Sequence, residues 1–187
     1  MELSNLNIKN GLCISLGANI DSKFGRPLES LLICKPKIEE IINEWGDSSN
    51  KKEEKSKFHA NFYWSSIYET LPHGVDNEQP NYLNTLLLIK SNSFPKPSNK
   101  KAKLLLKELK KLERLFGREE TPKGKKWLSR CLDLDILWWE DFHTVDEELT
   151  LPHPRFMNRN FVITPLSEIL SRSQKSQSLM PQNGLYK

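Results

Sequence analysis

Asp133 and Asp135 are separated by one residue and stand among Leu132, Leu134 and Ile136, so their run alternates as a strand would from Leu132 to Trp138. At ~3.3 Å per residue, both carboxylates then lie on one face, about 6 to 7 Å apart. Two like charges on a half-buried sheet repel unless a cation lies between or above them. Mg²⁺ suits such a pair, because it takes one or two carboxylates and completes its shell with water and substrate phosphate. Taken alone, an Asp-x-Asp pair is also what an exposed polar strand face presents.

The surroundings of the pair are cationic. Arg118 follows Gly117, Arg130 stands just before the acidic strand, and Trp127 lies between them on a segment containing Pro122 and Gly124. Guanidinium forks flanking metal-binding carboxylates are what a triphosphate requires. His153, Arg155 and Arg159 follow Pro152, and the two arginines face one way if Pro154 opens a helix. Glu113 sits at the edge of an apolar helix stripe, where an i−3 pairing with Lys110 would account for it. Between Lys96 and Lys126 there are twelve Lys or Arg against four Glu, whereas the whole chain carries only +4. The basicity is therefore one patch, fit for phosphates, a nucleic-acid backbone or a membrane surface, or simply a solvated helix face. There is no Gly-rich Walker loop, no G-x-G-x-x-G and no kinase catalytic-loop pattern, which excludes those ATP sites.

The elements that must carry these groups follow from periodicity. Residues 12–17 read as a strand, and Leu28 to Trp45 as a helix that Pro36 should kink or split. Asp47 to Lys57 is uniformly polar and reads as a loop. Strands are expected near Phe62 to Glu69 and Tyr82 to Lys90, joined by a Pro- and Gly-bearing candidate binding loop. Lys100 to Phe116 is the clearest helix, with Ala102, Leu105, Leu109, Leu112 and Phe116 in register and Gly117 as its stop. A hairpin is expected over Trp139 to Leu151, a short helix from Pro154, and a further helix with Thr164 as N-cap and Pro165 first. Strand, helix, two strands, helix, strand is the order of a split βαβ unit, so the fold class is α+β with helices on one face of an antiparallel sheet.

The 187 residues suit a single domain, with a core over about 12–170 and a Ser- and Gln-rich tail, 171–187, expected to be disordered. With 37% hydrophobic and 28% charged residues the chain is of globular, not disordered, composition. Its apolar runs are too short to cross a bilayer. The N-terminus lacks a basic-then-apolar leader, and Cys13, Cys34 and Cys131 form no Cys-x-x-Cys, so a cytoplasmic protein with reduced thiols is expected.

Four blocks in order carry a family resemblance: Ser15 to Asn19; Ser66 to Thr70 running on to Gln79 through Asn84; Glu113 to Arg118 with Arg130 to Asp135; and Pro152 to Arg155 with Arg159 to Phe161. Over about residues 12–170 the chain resembles the 6-hydroxymethyl-7,8-dihydropterin pyrophosphokinases of folate synthesis. The resemblance implies a ferredoxin-like α+β fold with an extra hairpin and mobile active-site loops. It implies transfer of diphosphate from ATP to the pterin hydroxymethyl group, with release of AMP. Arg118, Arg130, Asp133 and Asp135 would be catalytic, the aspartates holding two Mg²⁺. ATP would meet Glu113, Trp127, Arg130, Ile136, Thr150, His153, Arg155 and Arg159. The pterin would meet Thr70, Leu71, Pro72, His73, Tyr82, Asn84, Trp127 and Phe161. The partners are then small molecules, with no nucleic acid and no membrane, and the protein a monomer.

The chain departs from the family pattern at Leu128-Ser129 before Arg130, at Glu119-Glu120 after Arg118, and in longer segments near 22–26 and 47–57. Two other readings compete: a single-stranded nucleic-acid module, which would leave the aspartates without a task, and a divalent-metal phosphohydrolase, which would not need the pterin loop.

Overall fold

The structure is a computed structural model that describes residues 11–49, 58–72, 79–119 and 128–178. Its main sheet has the strands β1 (Leu12–Ala18), β2 (Asn61–Trp64), β3 (Tyr68–Thr70), β4 (Tyr82–Lys90) and β5 (Asp133–Trp139). Their order is β2-β4-β1-β5, every pair antiparallel, with β3 continuing the β2 edge along β4. The helix α1 (Pro27–Ser49) joins β1 to β2, and α2 (Asn99–Leu115) joins β4 to β5. Each crossover skips one strand, which is the split βαβ arrangement read twice.

Leu31, Cys34, Ile38, Ile42 and Trp45 on α1 and Ala102, Leu105, Leu109 and Leu112 on α2 pack with Ile14, Leu16, Leu87, Leu134 and Ile136 on one sheet face. The helix α3 (Asn160–Ser178) covers the other face, with Val162, Leu166 and Ile169 against Cys13, Leu86, Leu88, Leu137 and Trp138. Helices thus lie on both faces, not on one. Their apolar stripes need a cover on each side, because β1 and β4 are buried above and below.

Several local expectations need correction. Pro36 does not split α1. It is exposed, as is Leu32, so the carbonyl that proline leaves unbonded faces water while the opposite side of the helix stays packed. Asp47 and Ser48 belong to the end of α1, where the Phe58 amide donates to Asp47 Oδ1 at 2.8 Å; residues 50–57 lie outside the described chain. The single strand expected over Phe62 to Glu69 is two, broken at Ser65, whose amide and hydroxyl oxygen pair with the Leu86 carbonyl and amide at 3.0 and 2.9 Å. Thr164 and Pro165 do not open a helix: α3 begins at Asn160, its first turn closing on the Arg159 carbonyl. Burial of Val162 ahead of Leu166 outweighs the one backbone bond that Pro165 removes. Ser171 to Ser178 continue α3 as helix where disorder was expected.

Gly117 stops α2 with φ +102°, a left-handed backbone that a glycine adopts without strain. The hairpin past β5 forms from β6 (Thr144–Val145) and β7 (Thr150–Leu151), and only a single turn of 3-10 helix, Phe156–Asn158, follows Pro154. Asp146 ties the hairpin to the start of α2 through Lys103 at 3.0 Å and Asn99 at 2.9 Å.

Candidate active site

Strand register assembles the site. Gly17 lies between Asn84 on one side and Asp133 on the other, and Ser15 lies between Leu86 and Asp135. Alternation turns all of these toward the α3 face, so the apolar layer of that face gives way to a polar row at the strand ends. A Cβ at Gly17 would stand 2.8 Å from Asn84 Oδ1, so the close approach in this row requires glycine.

Asp133 and Asp135 share that face as the spacing implies, and arginines from three connecting segments meet them. Asp133 Oδ1 accepts from Arg118 Nη1 at 2.7 Å and from Arg130 Nη1 at 2.9 Å, while Arg159 Nη1 lies 3.7 Å from Asp135 Oδ2. Burial and the neighbouring Asp133 charge push the Asp135 pKa up, and His153, Lys110 and Arg159 offset this only in part. A carboxylate held above its ordinary range beside a second carboxylate has room for another cation. Among the described residues no cluster of three or more His, Cys, Asp or Glu could hold a metal by itself. The donor set is two aspartates, the partial shell that Mg²⁺ completes with phosphate oxygens and water.

Glu113 is far more central than its place at a stripe edge suggested. It is 1% exposed and accepts the Leu134 amide at 2.8 Å, Lys110 Nζ at 3.0 Å, and Arg118 Nη1. Burial pushes its carboxyl up to about 7, against Lys110 and the Leu134 amide, which hold it down. It joins α2 to β5 and orients Arg118 onto Asp133. His153 is half-buried, and burial lowers its pKa although Asp135 pulls it upward. Its Nδ1 accepts from the Arg155 amide at 3.3 Å, which leaves Nε2 as the donor of the neutral ring.

Beside the charged cluster, Asn84 Nδ2 donates to Thr70 Oγ1 at 2.8 Å and Tyr82 OH donates to the Leu128 carbonyl at 3.2 Å. The Arg159 guanidinium lies 5.3 Å from the centre of the Phe161 ring. Thr70, Tyr82 and Asn84 therefore adjoin the arginine–aspartate group. Leu71 is 77% exposed beyond β3 with Pro72 half-buried after it, Thr150 pairs with Val145 in the hairpin, and the Ile136 side chain points into the α1/α2 core. His73 and Trp127 lie outside the described residues, as does most of each expected mobile loop.

Asn19 escaped the periodic reading, which ended the first strand at residue 17. It is 3% exposed; Oδ1 accepts the Arg130 amide at 2.6 Å, and Nδ2 donates to the Pro80 carbonyl and to Ser129 Oγ, each at 3.2 Å. Its backbone amide also donates to the Arg130 carbonyl at 2.9 Å. The departures Leu128 and Ser129 are thus both used as acceptors, by Tyr82 and Asn19. The segment near 22–26 is a tight turn, with Ser22 and Gly25 paired through both backbone bonds. A strand end followed by a buried, multiply bonded Asn leaves no periodic signal; only its place in the first block marked it.

Doubled split-βαβ topology, a carboxylate pair ringed by arginines, and the adjoining Thr70, Tyr82 and Asn84 define an α+β domain with a charged and polar cluster at its strand ends. The chain belongs to the 7,8-dihydro-6-hydroxymethylpterin-pyrophosphokinase (HPPK) family, whose family model matches residues 13–171. It is 32% identical over 157 residues to a folate synthesis bifunctional protein of Arabidopsis thaliana, covering 84% of this chain and 26% of that protein. It is 36% identical over 107 residues to a 2-amino-4-hydroxy-6-hydroxymethyldihydropteridine pyrophosphokinase of Haemophilus influenzae, covering 57% of this chain and 60% of the relative. A Bacillus subtilis protein of the same name is 36% identical over 111 residues, 59% of this chain and 60% of its own length. The match thus spans less than two thirds of each of these relatives.

Proposed function

We propose that the protein transfers the β,γ-diphosphoryl unit of ATP to the hydroxymethyl oxygen of 6-hydroxymethyl-7,8-dihydropterin, releasing AMP. The observation that supports this reading is the row Asn84–Gly17–Asp133, which sets a buried amide side chain beside an arginine-bound carboxylate pair. Family membership supports it.

In this reading the pterin lies along Thr70, Tyr82 and Asn84, with Asn84 reading the hydrogen-bonding ring edge and Phe161 stacking on its face. Arg118, Arg130 and Arg159 take the phosphates, exchanging carboxylate partners for phosphate oxygens, and His153 donates through Nε2. Asp133 and Asp135 would hold two Mg²⁺, which would supply positive charge to offset that of the triphosphate. The protein's own work is positioning: the hydroxymethyl oxygen, losing its proton to water, attacks the β-phosphorus, and the bond from that phosphorus to the bridging oxygen breaks on the opposite side, AMP leaving with that oxygen.

We further propose that residues 12–170 form one catalytic unit, acting as a cytoplasmic monomer without nucleic acid. No helix among the described residues is long and apolar enough to cross a membrane. The test is AMP formation from ATP, with and without the pterin. Pterin-dependent AMP that a chelator abolishes and Mg²⁺ restores is expected. ADP or free phosphate as product would overturn the reading in favour of a phosphohydrolase.

A further inference from the structure

The break in the sheet edge places Ser66 between two paired runs, β2 and β3. A carboxylate from the opposite layer meets it there. Glu168 of α3 accepts the Ser66 amide at 2.8 Å, Ser66 Oγ at 2.7 Å and Tyr68 OH at 3.0 Å, although it lies 102 residues from Ser66. The Glu168 side chain is 16% exposed, and Arg172 one turn on pairs with it. β3 has only three residues and, among the described residues, pairs with β4 on one side alone. A ladder that short would fray, so three bonds to a charged acceptor decide where β3 sits.

From this anchor both elements run to the candidate pterin pocket. β3 reaches Thr70 four residues after Ser66, about 13 Å on. α3 leads back seven residues from Glu168 to Phe161, about 10 Å and nearly two whole turns, so the two share a side of the helix. At the far ends, Thr70 accepts from Asn84 at 2.8 Å, and Phe161 lies against Arg159.

We propose that Glu168 is a positioning residue for the pterin: by clamping the start of β3 to α3 it sets the gap between the Thr70–Asn84 wall and the Phe161 wall without touching either substrate. This rests on the reaction assigned above. Nothing in that reaction requires Glu168, and neither Arg118 nor Arg130 contacts it through the bonds described.

The test pairs calorimetry with amide hydrogen exchange on the full chain carrying Glu168→Gln or Glu168→Ala. Glu168→Gln keeps the shape but sets an amide group against two hydroxyls and a backbone donor. Expected are faster exchange over residues 66–70 with β1 and β4 still protected, and pterin affinity, measured with a non-hydrolysable ATP analogue and Mg²⁺ present, weakened about tenfold in either variant. Affinity for the analogue alone should stay within twofold of native. Equal weakening of nucleotide and pterin would mark a merely structural role and overturn the proposal. So would faster exchange with unchanged pterin affinity, or exchange no faster than native. A native protein that binds no pterin would instead overturn the reaction reading, and the role of Glu168 with it.

Discussion

Asp133 receives Arg118 and Arg130 on one oxygen, so the site itself contains the charges that a triphosphate would redistribute. Removing a carboxylate there has two separable effects. The fold loses two partly exposed ion pairs at Asp133 or one at Asp135, each worth about 1 kcal/mol or less. The reaction loses its cation clamp, worth roughly 4 kcal/mol, or about a thousandfold in rate. Asp133→Ala and Asp135→Ala should therefore keep near-native melting temperatures while pterin-dependent AMP release nearly vanishes. Retention of a tenth of native turnover in either variant would remove that residue from the metal site. Asn84→Ala should act differently, leaving nucleotide affinity intact and weakening pterin binding by 10-fold or more, at roughly 1.4 kcal/mol per tenfold, because a buried ring edge loses its partner. Equal pterin affinity by calorimetry would exclude Asn84 from the pocket.

The elements were legible in the sequence to the extent that a periodic stripe defined them. Leu105, Leu109 and Leu112 announce α2, and the alternation from Leu132 announces β5 with both aspartates on one side. Where the deciding partner is remote, the reading failed: Ser65 breaks the edge strand through bonds to Leu86, and Pro165 is absorbed because Val162 packs ahead of it. Glu113 belongs with these, since local spacing offered Lys110 as a partner and could not show the Leu134 amide or Arg118. Its burial has a pH consequence. With a folded pKa of about 7, above the ordinary glutamate range, folded protein binds the extra proton between about pH 4.5 and 7. That contribution to stability is fully present below about pH 4.5 and lost as pH rises through 7, with a ceiling of about 3 kcal/mol. Urea midpoints of the nucleotide-free protein should thus fall between pH 5 and 8, and Glu113→Gln, which is neutral throughout, should flatten that fall. A steeper fall in the variant would show Glu113 to be an ionised anchor for Lys110 and Arg118 instead.

Across the whole molecule, Asn19 links the two proposed substrate sides. One side chain binds the Pro80 carbonyl, which precedes β4 and Asn84, and the amide of Arg130, which reaches Asp133. In the proposed reading, nucleotide binding that settles Arg130 acts through this residue on the segment leading to Asn84. Native protein should bind pterin more tightly when a non-hydrolysable ATP analogue and Mg²⁺ are present, and by linkage the pterin must tighten the nucleotide by the same factor. Asn19→Ala removes the side-chain bonds to Gln79, Pro80, Ser129 and Arg130 while keeping the backbone bonds to Arg130, so the sheet should remain intact. The variant should lose most of the coupling, bringing pterin affinity with and without nucleotide to within about threefold, where a coupling of 1–3 kcal/mol would give 5- to 150-fold in native protein. The measurement is a pair of pterin titrations for each protein, and a variant as strongly coupled as native would show that the two sides communicate by another route.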